Sequence, residues 1–333
     1  MCFGVIICHF WDADMGKKTH IIFNTLRCNA VHTFILLAFF FTAHTIESRD
    51  WNLIGIRIMR LLKPFYIWPI IMFVLYNLSS LILNGRLKFG LRDIGAQYFM
   101  GHTEILVVMY FNWIVMVLTI IYALIFYLLS RKTAFIFLII SGIWALSFVY
   151  TGKNYAMFSK LPPEMSYPLG RLAELYPTAC VGIALSHINF NGVREKISNI
   201  GVWTLFYCIT GFEIIWMMLI SPTLMQYFPA GQFNYGYPYH IALSIWFFII
   251  GFYFNGSSLP VLIRKIISEI GHYTVGVYCV HMIVGLGLQY LIDTNGIYGR
   301  RTLRFCTVCF AACLVIVYGI SRLPWKWCKE IVK

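Results

Sequence analysis

The chain has 333 residues, of which 60% are hydrophobic and 12% are charged, and its formal net charge is +13. Soluble domains are about 45–50% apolar and about 25% charged, so this composition excludes a soluble globular domain and a disordered chain. The apolar residues fall in long blocks instead of alternating with polar ones, which argues against a transmembrane β-barrel. We therefore predict an all-α, polytopic transmembrane helical bundle that forms a single domain over residues 1–333.

Apolar blocks recur along the whole chain, and at ~20 residues per span plus loops the length allows roughly ten of them. In chain order the predicted blocks are Phe3–Trp11, Ala30–Ile46, Leu61–Leu83, Ile105–Leu129, Ala134–Tyr150, Gly170–His187, Val202–Ile220, Tyr239–Asn255, Val275–Ile292 and Leu303–Ile320. The first block is too short to cross ~30 Å of hydrocarbon at 1.5 Å per residue. It also lacks the basic start and cleavage site of a signal peptide, so we expect a first span truncated at its N-terminus.

The basic residues favour one orientation weakly. With a cytoplasmic N-terminus, 14 of the 26 Lys and Arg residues fall in cytoplasmic loops or the C-terminal tail, and 12 in the opposite loops. The uncharged stretch Ser221–Pro238 fits an external loop in that orientation. The positive charge is thereby assigned to topology and to anionic lipid headgroups, and no nucleic-acid partner is predicted.

Cysteines and ionisable residues lie within several of the apolar blocks, and each was considered as a functional site. Cys306 and Cys309 form a CxxC inside a predicted span with no second pair, so we interpret them as packing residues and predict no metal site.

Ionisable groups at bilayer depth cost about 2.5–3.5 kcal/mol each, and they often line a functional cavity. A hydrogen bond to a neighbouring helix accounts for any one of them equally well. The candidates are His9, Glu174, Glu213 and His281, with His44, Glu104 and His240 nearer the block ends.

An R-x-x-R pattern precedes the third block in the segment IRIMRLLKPFYIW. A spacing of three places Arg57 and Arg60 on one helical face, and Pro64 after them loosens the local backbone hydrogen bonding. Two adjacent guanidiniums at the membrane boundary have two interpretations. They are either headgroup anchors or a site for a phosphate or pyrophosphate group, whose oxygens Arg binds in a bidentate manner.

Four segments, in this order, resemble the acyltransferase 3 family of integral membrane acyltransferases: FGVIICHFWD, VHTFILLAFFFTA, RIMRLLKPFYIW and IGHYTVGVYCVHMIV. Two further segments resemble the same family more weakly: YFNWIVMVL and RLAELYPTACVGIAL. The chain departs from the pattern in several places. The family has an Arg eleven residues before the first His, and that position would precede Met1 here. This chain has His32 where the family usually has Pro, and Ala38–Phe39 where the family has Ser-Gly. The Ser of the family's late motif is replaced by Thr274. We expect the Ala38–Phe39 change to affect close packing of the second helix.

The resemblance implies transfer of an acyl group, most often acetyl from acetyl-CoA, to a hydroxyl of a cell-envelope glycan or lipid-linked sugar. It also implies a multi-pass protein of the bacterial inner membrane, with acyl-CoA as a co-substrate and no bound cofactor. By the same resemblance His9 is the general base, Arg57 and Arg60 hold the CoA phosphates, and Tyr278 and His281 have supporting roles. An unperturbed imidazole titrates near ~6.5, which suits a base near neutral pH.

Three alternatives stay open at this point. A covalent acyl-enzyme is less favoured than direct attack, because Cys8 and His9 point about 100° apart on a helix. A transporter or flippase of a lipid-linked glycan would use Glu174 and Glu213 as coupling sites, although no inverted repeat is visible. A family member that has lost catalysis would account for the departures from the pattern.

Overall fold

The computed structural model describes residues 2–10, 17–100, 109–150, 157–189, 238–254, 260–293 and 303–332, and within these ranges it contains helices and no strand. This confirms the all-α prediction. The helices are α1 (Cys2–Phe10), α2 (Lys17–Glu47), α3 (Trp51–Asn84), α4 (Leu91–Met100), α5 (Tyr110–Leu128), α6 (Arg131–Tyr150), α7 (Pro163–Leu185), α8 (Pro238–Phe254), α9 (Val261–His272), α10 (Thr274–Asp293), α11 (Leu303–Arg322) and α12 (Lys326–Val332).

Several of these helices are long and apolar enough to cross a membrane. Across the described ranges five qualify alone, and α9 with α10 makes a sixth if the bent pair is one span. The five stretches are Asn29–Glu47, Trp51–Ile82, Tyr110–Leu128, Arg131–Val149 and Arg304–Arg322. The count of about ten spans stays a prediction, and the block Val202–Ile220 lies outside the described residues.

Helix α3 begins ten residues before the predicted block, at Trp51 instead of Leu61. The side chain of Asp50 caps it by accepting hydrogen bonds from the N–H groups of Asn52 and Leu53. It ends at Gly85, whose φ of 65° is a left-handed conformation that glycine adopts readily. The sequence places the two arginines just outside a span, whereas the structure places them inside a continuous helix, in its second and third turns.

Ion pairs and hydrogen bonds gather at one end of the bundle. Glu47 contacts both Arg131 and His187, each at 2.6 Å, which joins the ends of α2 and α7 to the start of α6. Lys63 pairs with Glu330 at 2.6 Å, and its hydrogen bond lowers the pKa of that carboxyl. We call this the basic end, because its described Lys and Arg residues outnumber its acidic ones. The basic residues are Arg49, Arg57, Arg60, Lys63, Arg131, Lys132, Arg264, Lys265, Arg322, Lys326 and Lys329, and the acidic ones are Glu47, Asp50, Glu269 and Glu330.

Helices α2 and α7 approach each other closely through a glycine on α7. A Cβ atom at Gly182 would lie 2.5 Å from the carbonyl oxygen of Leu36 and 3.1 Å from the Cβ of Phe39. The Ala38–Phe39 change on α2 put its close packing in question. Gly182 on α7 makes that packing possible.

We expect Gly182→Ala to destabilise the protein by about 1–3 kcal/mol, the usual effect of forcing a group into a packed interface. The melting midpoint of the purified protein in detergent measures this effect. Gly251→Ala is the matched control, because a Cβ there meets nothing within 4 Å. It should leave the midpoint unchanged or raise it, since Ala is the better helix former. Equal midpoints for the two variants would contradict the close contact.

Candidate active site

Two histidines from opposite ends of the sequence meet where α1 packs against α10. The ring centroids of His9 and His281 are 5.3 Å apart, with their planes tilted by 41°. His281 is fully buried, whereas His9 is exposed. His281 therefore lies inside the protein, and the imidazole of His9 is the one at its surface.

The hydrogen bonding of His281 defines which of its nitrogens is available. Its Nδ1 lies 2.5 Å from the carbonyl oxygen of Tyr278. A carbonyl only accepts, so Nδ1 must carry the proton, and Nε2 is an acceptor in the neutral ring. This Nε2 is buried and has no hydrogen-bond partner within the described part of the chain. His281 thus offers an unused acceptor beside His9.

Aromatic rings pack against the buried member of the histidine pair, His281. Phe10 lies edge-on to His281 at 6.4 Å between ring centroids, and Tyr278 lies at 5.7 Å from it. The ring of Tyr278 also contacts Phe34 of α2 and Phe111 of α5, at 6.3 and 5.3 Å. Tyr278 therefore connects the histidine pair to the helices that carry the arginine contacts described below.

Phe10 is seated over a glycine, and this contact fixes the end of α1. A Cβ built at Gly285 of α10 would overlap the ring of Phe10, which is 3% exposed. We expect Gly285→Ala to displace Phe10 and, with it, the adjacent His9, and to lower the acyl transfer that the family resemblance implies by roughly tenfold or more.

The matched control for this change is two residues away on the same helix. A Cβ at Gly287 meets nothing within 4 Å, so Gly287→Ala should keep the wild-type rate. Initial rates of the acyl transfer implied by the family resemblance, normalised to folded protein, measure both variants. An equal loss of activity in the two would indicate a general effect on α10 instead of a displaced His9.

The two arginines line one cavity at the basic end. Its volume is about 270 Å³, just under the ~300–1,000 Å³ typical of small-molecule sites. This volume suits a phosphate or pyrophosphate group better than a whole nucleotide thioester. The lining residues are Thr42, Thr45, Leu53, Ile56, Arg57, Arg60 and Leu61.

The two guanidiniums have different environments within that cavity. Arg57 donates to the carbonyl oxygen of Ala38 at 3.3 Å and to the hydroxyl of Thr119 at 3.5 Å, which ties α3 to α2 and α5. Arg60 is exposed, and among the described residues it has no hydrogen-bond or ion-pair partner. Arg60 is therefore the guanidinium free to bind an anion, and Arg57 is partly committed to the fold.

The histidine pair and the arginine cavity are separate but lie along the same helices. Tyr278 contacts Phe34 on α2, and Arg57 contacts Ala38, four residues further on. On α5 the corresponding contacts are Phe111 and Thr119, eight residues apart. At 1.5 Å per residue these intervals correspond to about 6–12 Å along the bundle. His281 lies one further helical turn from the basic end.

A buried polar cluster between α2, α7 and α8 was not predicted from the sequence. His32 contacts the hydroxyl of Thr178 at 2.6 Å and stacks on His240 at 5.5 Å between ring centroids. His240 in turn contacts the Asn29 side chain of α2 at 3.2 Å and is 2% exposed, which is the kind of contact to a neighbouring helix that the sequence analysis left open for it. The signal for this cluster was present, because His32 and Thr33 lie within an apolar block and Asn29, one helical turn earlier, lies at its start.

Glu174 and Glu213 are the two glutamates that a transporter would use as coupling sites. Glu174 forms an ion pair with Arg171 at 2.6 Å, with side-chain exposures of 0% and 6%. A carboxylate already neutralised in this way resembles a structural element more than a coupling site. Glu213 lies outside the described residues. No cluster of three or more His, Cys, Asp or Glu side chains with metal-binding geometry occurs in the part of the chain that the structure describes.

Comparison with known families gives one match. A sequence profile of a family described as an acyltransferase domain matches residues 1–321. This range includes the histidine pair, the arginine cavity and Tyr278. No curated protein and no solved structure matches the chain.

Proposed function

The chain belongs to the acyltransferase 3 family, and from that premise we propose that it moves an acyl group, acetyl in the first instance, from acyl-CoA to a hydroxyl of an envelope polysaccharide or lipid-linked sugar. The coarser part of this statement, a membrane acyltransferase, follows from the family match and the apolar helices. The observation that carries the finer part is the contact between the exposed His9 and the buried His281. We place the protein in the inner membrane of a bacterium, with the basic end in the cytoplasm, where acyl-CoA is found.

In the proposed reaction His9 acts as the general base. A ring nitrogen of His9 takes the proton of the acceptor hydroxyl as its oxygen attacks the thioester carbonyl. When the tetrahedral intermediate collapses, the carbon–sulfur bond breaks and His9 returns the proton to the departing thiolate. The products are an ester and free CoA, and the balance requires no further reactant.

The arginine cavity is assigned to the donor. Its position at the basic end and its free Arg60 suit the phosphates of CoA, which Arg binds as paired charge-assisted hydrogen bonds. A cavity of about 270 Å³ holds only part of the donor. The pantetheine arm would therefore cover the distance along the bundle from the arginines past Tyr278 to the histidine pair.

His281 is assigned a positioning role, because it is buried and does not itself reach substrate. Its Nδ1 proton is held by the carbonyl of Tyr278, so its Nε2 can accept a hydrogen bond from the protonated ring of His9. Such an acceptor would orient the base and stabilise its charged form during the reaction. Tyr278 supports this arrangement by packing between His281 and the aromatic rings of α2 and α5.

The direct test is acyl transfer by the purified protein in lipid nanodiscs. Radiolabelled acetyl-CoA is supplied with lipid-linked sugars or polysaccharide extracted from the expression host, and base-labile label in the glycan is measured together with free CoA. We expect stoichiometric formation of both, and succinyl-CoA in parallel identifies the preferred acyl group. Movement of the lipid-linked sugar between leaflets without any acyl-CoA would overturn the proposal in favour of a flippase. Absence of label from every hydroxyl acceptor would overturn it as well.

A further inference from the structure

Helix α9 presents two chemically different faces. At 100° per residue, Leu262, Ile263, Ile266, Ile267 and Ile270 fall on one arc of about 140°. Arg264, Lys265, Ser268, Glu269 and His272 fall on the opposite arc. This division is typical of a helix that lies between an apolar phase and water.

The apolar arc of α9 is not covered by the rest of the described structure. Leu262 is 69% exposed, Ile267 54% and Ile266 49%, and no residue of the helix is buried. Burial of this arc would remove several large aliphatic side chains from water, which is favourable in proportion to the apolar area covered. An uncovered face of this kind requires an apolar partner.

Helix α9 does not run in line with the helix that follows it. It is bent by 68° from α10, so if α10 lies near the membrane normal, α9 lies close to the membrane plane. The bend is anchored at Tyr273, which is 5% exposed and whose hydroxyl lies 3.3 Å from both Ser321 and Glu269. The helix is thus held at the basic end, level with the ends of α11 and α12.

The surroundings of α9 match the polar boundary of a bilayer. Two tryptophans at the start of α12, Trp325 just before the helix and Trp327 in its first turn, stack at 6.0 Å and are 56% and 51% exposed. Tryptophan is enriched at the headgroup level of membrane proteins. Arg322, Lys326 and Lys329 lie on the same segment, and a basic surface of this kind attracts anionic lipid.

We propose that α9 is an interfacial anchor, with its apolar arc in the boundary between headgroups and acyl chains and with Arg264 and Lys265 bound to anionic phospholipid headgroups. The inference does not rest on the proposed acyl transfer, because no residue of α9 belongs to the histidine pair or lines the arginine cavity. A lipid surface is favoured over a second copy of the chain by the charge of the polar arc and its neighbours. A symmetric contact would bring these like charges together.

Hydrogen exchange of the α9 amides in nanodiscs that hold one copy of the full chain tests the proposal. Discs of phosphatidylcholine alone are compared with discs that contain phosphatidylglycerol. We expect slowed exchange in α9 in both relative to detergent-free amphipol, and a further severalfold slowing with phosphatidylglycerol. The double variant R264Q/K265Q should lose only that further slowing, and I266E should lose the slowing in both lipids.

A matched control and two contrary outcomes complete the test. R86Q/R92Q removes two exposed arginines near the other end of α3 and should retain the full response to phosphatidylglycerol. Exchange in α9 that is the same in amphipol and in both lipids would overturn the proposal. Slowing that occurs only in discs loaded with two copies would overturn it in favour of a self-association face. Neither result depends on measuring acyl transfer, so the proposed function is tested separately.

Discussion

The variant His9→Gln is expected to lose acyl transfer almost completely, by about 10²–10⁴-fold in kcat, the usual contribution of a general base. Glutamine keeps a polar side chain at the end of α1 but cannot take up the proton of the acceptor hydroxyl. The initial rate of CoA release in the presence of acceptor measures the effect. Because His9 is exposed, the melting midpoint of the variant should stay at the wild-type value.

His272→Gln is the matched control for this experiment, since it makes the same replacement at an exposed histidine on α9. It should retain the wild-type rate. A His9→Gln protein that is folded and still transfers acyl groups at that rate would remove His9 from the role of base. The chemistry would then need another base within reach of the acceptor, and the contact with His281 would be a packing contact.

The fold class followed from the sequence because membrane insertion constrains composition so strongly. Long apolar blocks allow little besides helices, and the block Leu303–Ile320 lies within the observed α11. Helix starts were predicted less well. The first turns of α3 are largely apolar, but Arg57, Arg60 and Lys63 interrupt them, so a search for uninterrupted apolar blocks begins after these charges. The start of the helix itself is set by the cap at Asp50.

Which residues belong to the candidate site could be predicted from the sequence, but how they are arranged in space could not. Resemblance to a family identified His9, Arg57 and Arg60, and the structure places the arginines in one cavity and His9 against His281. Which arginine is free could not be read from R-x-x-R spacing, because the answer depends on a carbonyl of α2 and a hydroxyl of α5. The polar cluster around His32 was missed for a related reason, since its partners come from α7 and α8.

The different environments of Arg57 and Arg60 predict different kinetic defects. Arg60→Gln is expected to raise the KM for acyl-CoA by roughly 10–100-fold, the equivalent of losing a charged hydrogen bond of about 1.5–3 kcal/mol. Its kcat should change little, because a phosphate contact remote from the carbonyl stabilises ground state and transition state alike.

The variant Arg57→Gln should raise the KM for acyl-CoA and should in addition lower the melting midpoint, because it removes the contacts to Ala38 and Thr119. Lys132→Gln, an exposed cation at the same end, should affect neither quantity.

A truncated donor tests whether the Arg60→Gln defect comes from a lost phosphate contact. Acetyl-pantetheine carries the same thioester without the nucleotide phosphates, so the wild-type protein should use it about as poorly as Arg60→Gln uses acetyl-CoA. With this donor the Arg60→Gln change should have no further effect, because the group that Arg60 binds is already missing. If Arg60→Gln weakens the use of acetyl-pantetheine as strongly as that of acetyl-CoA, then Arg60 does not bind the phosphates. The cavity at the basic end would in that case be a headgroup site, and the donor would have to enter elsewhere.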